Sequence, residues 1–378
     1  MAYFQVTSKP HSRILPAMNI RQATRQYETW LAGHLRLVQS DLDAKHEAMT
    51  RDAFSFLRAT FYRWMQLFPA LCPQAAGAPA VLAVGDLHVE NFGTWRDVEG
   101  RLVWGINDFD EAYPLPYTLD LVRLAASAWL AIERGGMSLV PDDICAAIWE
   151  GYTKSMEIGS EPFVLAERHP WLREIATNRL RDPALFWEKF AALPAVKPVP
   201  AKVMRLLKQA MPERGLPFRV AHRRAGMGSL GRQRFTAIAD WRGGKIAHET
   251  KPLLPSACAW ARGSASREIF YMRIVSNSVR APDPFLGVQE GWVLRRLSPY
   301  CSRIELSQLP DGHDEDKLSR AMGKELANVH LGSRRALAAV RRDLRQRKPE
   351  WLAQAARIMA EATVNDWKEW KKPNADCR

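Results

Sequence analysis

Cysteine is scarce. Five occur in 378 residues (Cys72, Cys145, Cys258, Cys301, Cys377), odd in number, scattered and without a CxxC pair. That excludes a disulfide framework and a cysteine-based zinc site. Long apolar runs are missing too. The longest, Leu124 to Ile132, falls far short of the ~20 residues a membrane span requires. No apolar run of signal-peptide length follows Arg13 and Arg21, so a cytoplasmic setting and no membrane partner are expected. There is no internal repeat and no low-complexity tract. Hydrophobic residues make up 47% and charged residues 25%, a composition that argues against disordered, collagenous and coiled-coil chains.

What the sequence does have is length and positive charge. The 378 residues suggest two lobes or domains. A chain of this size buries roughly three quarters of its unfolded surface and needs no metal or disulfide to fold. Fifty-four Lys and Arg stand against 41 Asp and Glu, a net +13. Such an excess fits either a solvated basic surface or an anionic partner: nucleotide, phosphate or nucleic acid. Part of it lies between Arg334 and Lys348, on several faces of a helix rather than one stripe.

Periodicity gives the organisation. Residues 17–69 read as helix, with Phe54, Leu57, Phe61, Trp64 and Phe68 on one face, and Pro69 and the Pro73 to Pro79 region, with Gly77, ending it. Residues 81–84 read as a buried strand, followed by a hairpin of 91–95 and 101–106. Pro114 and Pro116 break the chain, and 119–134 is an apolar helix. Residues 140–212 read as mostly helical, interrupted by the proline-rich 194–200. Strand-like runs at 233–240 and 245–251 flank Gly243-Gly244, a hairpin turn. A helix at 264–280, a strand at 292–297 and helices over 314–370 complete the reading. Strands and helices do not alternate as βαβ units, so a doubly wound sheet is disfavoured.

The sharpest segment is Gly85-Asp86-Leu87-His88-Val89-Glu90-Asn91, between a strand and a hairpin. At the end of that hairpin comes Asn107-Asp108-Phe109-Asp110-Glu111. Phosphoryl transfer needs this set: one Asp to orient and deprotonate a hydroxyl, and an Asn and a second Asp as hard oxygen ligands for Mg²⁺.

The segment resembles the catalytic and metal loops of the protein-kinase-like fold, especially its aminoglycoside and choline phosphotransferase branch. By that resemblance Asp86 is the catalytic base, Asn91 and Asp108 are metal ligands, and Asp120 of Asp120-Leu121 is a buried brace. Asp110 is a further ligand or a turn residue, and His88 is structural. Val84 stands where a histidine usually precedes the Gly-Asp pair. Such a fold also needs a phosphate cradle. Gly226-Met227-Gly228-Ser229-Leu230-Gly231 has the spacing G-x-G-x-x-G, which a dinucleotide fold shares. A strand rather than a helix follows it, which favours the kinase-type loop. Lys251 is expected on the phosphates, with Lys245 as a rival, and Glu268 is expected to pair with Lys251. Residues 292–297 would run into the hinge that holds the adenine.

The order is inverted relative to an ordinary kinase, because the glycine loop follows the catalytic loop. The helix 318–330 looks like the helix leading into that loop, so a circular permutation restores the order. The expected fold is α+β, two-lobed and protein-kinase-like, with a helical large lobe and a small antiparallel β-rich nucleotide lobe. The expected division is 1–80 helical and packed on the large lobe, 81–212 with the catalytic and metal loops, 213–300 the small lobe, and 301–378 helices returning to the large lobe. Lys45-His46-Glu47-Ala48-Met49, Phe54 to Arg58, Gly85 to His88 with Asn91-Phe92-Gly93, Asn107 to Ala112 and Asp120 to Ser127 also resemble a bacterial family known only as domain of unknown function 2252, over roughly residues 40–335. Its usual Gly after Phe-Leu-Arg is Ala59 here. Arg58 touches phosphate, braces an acid or lies on a helix surface.

The expectation is therefore an ATP- and Mg²⁺-dependent phosphotransferase acting on a hydroxyl of a small-molecule or protein acceptor. A nucleotide-binding pseudokinase or a nucleotidyl transferase is the alternative. A nucleic-acid-binding protein without catalysis is a further one, which no binding motif in the chain supports.

Overall fold

A computed structural model describes residues 18–135, 139–165, 168–177, 182–301 and 315–373. The basis of the fold is a mixed α+β arrangement whose sheets are all antiparallel. β1 (Ala80–Ala83) pairs with β4 (Tyr113–Pro116); β2 (Phe92–Arg96) pairs with β3 (Leu102–Ile106), which also meets β5 (Phe163–Val164). β6 (Arg219–His222), β7 (Phe235–Trp241), β8 (Gly244–Pro252), β9 (Gly287–Gln289) and β10 (Trp292–Leu297) form a five-stranded sheet in the order β6-β7-β8-β10-β9.

The large core lies among the helices. Phe54, Leu57, Phe61, Trp64 and Phe68 are all buried in it, as their spacing predicts. Truncating one such aromatic to Ala costs about 3–5 kcal/mol. The expected single helix over 17–69 is instead four: Ile20–Ala32, Gln39–Arg51, Ala53–Ala59 and Phe61–Leu71. Asp52 makes one break by capping the next helix through the Ser55 amide at 2.7 Å. Pro69 lies inside the last helix, which runs on to Leu71 and stops just before Pro73, in the proline-rich stretch expected to end it. The short helix Pro73–Ala76 then leads to β1, and the buried helix Tyr117–Glu133 follows β4. Pro114 and Pro116 do not simply break the chain. They sit in β4 at register with Leu82 and Ala80, in a two-stranded ribbon where missing amide donors are tolerated.

The five-stranded sheet carries a helix on each face. Ala201–Ala210 packs Val203 and Leu207 against Val220, Phe235 and Ala237. Pro183–Ala191 places Phe190 on Ala221, Ile238 and Ala247. The neighbours Ala237 and Ile238 thus face opposite sides, as strand alternation demands. The β7–β8 turn lies one residue earlier than expected, at Arg242-Gly243. Both residues have positive φ (46° and 84°), the type I′ geometry that matches strand twist. The expected helix over 264–280 shrinks to Tyr271–Asn277. Ser264 and Ser266 draw the amides of Ser266 and Glu268 onto their hydroxyls (3.2 and 3.3 Å), which competes with helix formation. Among the described residues no helix is long and apolar enough to cross a membrane.

Candidate active site

β1 delivers Val84 and Gly85, whose amides both donate to the carboxylate of Asp120, at 2.7 and 2.8 Å. Asp120 also receives His330 Nε2 at 3.0 Å, and Tyr152 Oη lies 2.8 Å from His330 Nδ1. With Nε2 donating to the carboxylate, Nδ1 accepts the tyrosine proton. Asp120, His330 and Tyr152 have no solvent exposure. Asp120 is therefore the buried brace that the sequence suggests. His330 was not anticipated as its partner. It comes from the C-terminal end of the helix Glu315–His330.

Asp86 follows this braced strand end. The guanidinium of Arg123, wholly buried, donates to its Oδ1 from Nε at 3.0 Å and from a terminal nitrogen, and also reaches the Leu57 carbonyl at 2.9 Å. Phe61 and Trp64 face the same guanidinium at 5.0 and 4.9 Å. Burial pushes the Asp86 carboxyl up to about 7, against the pull of Arg123. Five residues on, Asn91 closes a short 3₁₀ turn, and its amide nitrogen donates to the Asp86 carbonyl at 3.1 Å. Its Oδ1 is buried and has no protein partner. His88 Nδ1 accepts the Glu90 amide at 3.2 Å, a structural role as expected. Arg58 pairs with Glu90 at 2.6 Å, so it braces an acid.

The second loop is tied to the first by Asn107 N–H, which donates to the Asn91 carbonyl at 3.1 Å. Behind it, buried Glu325 accepts the Ile106 amide at 3.2 Å, and burial pushes that carboxyl up to about 7. Lys251 on β8 reaches into the loop, 2.6 Å from Asp110 and 3.4 Å from Asp108. Burial acts to raise the Asp108 carboxyl, but Lys251, Arg295 and Arg234 outweigh it and hold it at about 2. The Asp108 side chain is 38% exposed, so water screens part of this effect. Asp110 keeps one buried oxygen, Oδ1, without a partner. Glu111 closes the loop by accepting the Ala257 amide (2.6 Å), the Ser256 hydroxyl (2.8 Å) and Arg232 (3.3 Å).

Residues 223–234, containing the glycines, connect the antiparallel strands β6 and β7. They fold down on Asp86: a Cβ added to Gly228 would lie 3.0 Å from Asp86 Oδ2 and 3.3 Å from the Arg58 carbonyl. A side chain there would force the loop or the carboxylate to yield by a few tenths of an ångström. Asp86, Asn91, Asp108, Gly228 and Ser229 enclose a cavity of about 60 Å³. It shares Asn107, Asp108 and Gly226 with a larger cleft of about 360 Å³, bounded by β10 and the helix Pro183–Ala191.

The structure thus gathers Asp86, Asn91, Asp108, Asp110, Gly226, Gly228 and Ser229 at the smaller cavity; Lys251 lines neither cavity and joins them through Asp110 and Asp108. Two expected residues stand apart. Gly231 packs on Leu42 at a φ of +93° and lines neither cavity. Glu268 does not pair with Lys251. It is exposed, and its ion-pair partner is Arg273 at 3.6 Å. Without the expected helix there, nothing turns Glu268 toward the sheet, and Asp110 takes the lysine instead. Lys245 is exposed and pairs with Asp240 at 2.7 Å, remote from both loops. Sequence reasoning missed Arg123, His330 and Glu249. Glu249 alone left a signal, since it lies two residues before Lys251 and hence on the same strand face. Among the described residues no group of three or more His, Cys, Asp or Glu has metal-holding geometry.

Residues 36–180 match the model of a family described as an uncharacterized protein conserved in bacteria, DUF2252. The match contains both acidic loops and ends before the glycine loop. Comparison with curated proteins and with solved structures returned no match.

Proposed function

We propose that this chain is an ATP- and Mg²⁺-dependent phosphotransferase acting on a hydroxyl, with a circularly permuted protein-kinase-like arrangement. One observation carries the reading: two distant segments meet at one cleft, with Gly228 against Asp86 and Lys251 against Asp110. Acidic oxygens, a glycine-rich backbone and a fixed lysine are what a phosphoryl-transfer site requires together.

In this reading the Asp86 carboxylate accepts the proton of the acceptor hydroxyl as its oxygen bonds to the γ-phosphorus. The bond from that phosphorus to the β–γ bridging oxygen breaks, and ADP leaves. Arg123 fixes the carboxylate, whose affinity for a proton near neutrality suits a general base. The donor set fits a divalent cation: Asn91 Oδ1 and Asp110 Oδ1 are buried without partners, and Asp108 faces the cleft. These are hard oxygens, and Mg²⁺ commonly takes one or two carboxylates with the rest from phosphate and water. When bound, Mg²⁺ offsets the charge of the phosphate oxygens.

The test is thermal unfolding with nucleotides, with and without Mg²⁺, followed by intact-mass analysis of acceptors incubated with ATP. Mg·ATP should raise the melting temperature, and the product should gain a phosphoryl group rather than a nucleotidyl group. Asp86→Asn should retain the thermal shift and lose transfer. No nucleotide shift in the unaltered protein would sink the proposal.

A further inference from the structure

We propose that Arg223, Arg234 and Arg295, gathered on the single carboxylate of Glu249, form an anion site that takes the polyphosphate chain of the cleft's ligand. The inference rests on the phosphotransferase reading only in naming that ligand a nucleotide.

Glu249 sits on β8 with 1% of its side chain exposed. Arg223 Nε lies 2.7 Å from it and Arg295 lies 2.7 and 3.0 Å from it. Arg234 pairs with the same oxygen that Arg295 uses. Those guanidiniums hold the Glu249 carboxyl well below the usual range despite burial, so it stays ionised. Three cations on one anion leave a positive surplus, which Asp108, acting on Arg295 and Arg234, offsets only in part. All three arginines line the 360 Å³ cleft, where seven lining residues are Lys or Arg and three are Asp. The surplus favours a multiply charged anion.

The arginines are also preorganised. Arg234 binds the Ala225 carbonyl at 3.0 Å and the Ser229 hydroxyl at 2.9 Å, so it carries the glycine-rich loop. Arg223 and Arg295 are 21% and 25% exposed, leaving guanidinium edges for a ligand. Their shared carboxylate has already taken the rotamer entropy that binding would otherwise cost. Lys251, by contrast, is 5% exposed and held by Asp110 and Asp108. Phosphate oxygens entering the larger cleft meet the arginines before the lysine. Asp108 lines the same cleft, so the terminal phosphate can end at the acidic loops.

Binding of sodium tripolyphosphate, ATP and adenosine to the full chain should be measured by calorimetry, without Mg²⁺, at low and high salt. Tripolyphosphate and ATP should bind and adenosine should bind far more weakly. Arg295→Gln and Arg223→Gln should each weaken both anions at least tenfold and flatten the salt dependence. The remote, exposed Arg205→Gln should change nothing, and melting curves of each variant confirm the fold. Tripolyphosphate binding lost in the arginine variants, with no ATP preference in the wild type, would support the anion site while removing the nucleotide. ATP binding that is indifferent to both arginine variants would overturn the inference and leave the phosphotransferase reading intact. A wild type that ignores tripolyphosphate also overturns it.

Discussion

Gly228 lies against the carboxylate of Asp86, so close that an added Cβ would sit 3.0 Å from Oδ2. One belongs to the connection between two strands of the five-stranded sheet, the other to the loop that follows β1. Filling the gap between them tests the relationship directly. Gly228→Val should push the loop off Asp86 at a cost of about 1–3 kcal/mol. Since 1.4 kcal/mol is about a factor of ten, nucleotide affinity should fall by about fivefold to a hundredfold. A titration with Mg·ATP beside a melting curve checks it. Unchanged affinity would mean that the loop does not shape the site.

Lys251 and Lys245 stand on one strand and should behave differently. Lys251→Ala takes the nearer cation from buried Asp110 and leaves it only Arg232 at 3.8 Å, which costs up to about 3–5 kcal/mol. Lys245→Ala removes an exposed pair worth about 0–1 kcal/mol. Urea unfolding of both variants gives the comparison, and equal losses would contradict the pairing.

The Tyr152–His330–Asp120 chain should hold the strand end that carries Asp86. His330→Ala leaves buried polar groups unsatisfied, at about 1–3 kcal/mol. His330→Gln keeps a donor for Asp120 and should recover part of that loss. Hydrogen exchange at the Val84 and Gly85 amides is the specific readout, because both donate to Asp120. Faster exchange in the alanine variant and slower exchange in the glutamine variant is the expected pattern. Identical exchange in both would refute a bracing role.

Glu325 predicts a pH dependence of stability. Its carboxyl is raised by burial from an ordinary value near 4.5 to about 7. The folded state therefore holds a proton that the unfolded chain has released. That stabilisation is complete below about pH 4.5 and is lost as pH rises through about 7, with a slope of at most about 1.4 kcal/mol per pH unit. Glu325→Gln cannot lose the proton, so it should remove this component. Urea midpoints of both proteins across that range make the test; parallel curves would rule it out.

Asp86→Asn removes the proposed base while preserving size. Transfer should drop by about 10²–10⁴-fold, with Mg·ATP binding nearly unchanged. Single-turnover assays with equilibrium binding separate the two effects, and normal turnover would dismiss Asp86 as the base.

Local spacing made the acidic loops and the glycine loop legible, because their residues are close in sequence and their strands repeat every second residue. The aromatic face from Phe54 to Phe68 was legible for the same reason. The pairing of Lys251 was not. It depended on a helix around Glu268 that serine side chains divert. The four-way division of residues 20–71 was also hidden, since a cap such as Asp52 inside an apolar periodicity leaves the period intact. His330 and Asp120 lie at opposite ends of the chain's middle portion, and no pattern in either neighbourhood predicts a contact that only tertiary packing creates. Arg123 was concealed differently: an arginine within an apolar helix gives no hint that it points to a carboxylate rather than to solvent.

Arg123 carries a further implication. Because its guanidinium is wedged between Phe61 and Trp64 while gripping Asp86, the proposed base is mounted on the protein's interior rather than on a pliable rim. Heating should then silence the proposed transfer and melt the tertiary packing in step, with one sigmoid describing both residual transfer and near-ultraviolet dichroism.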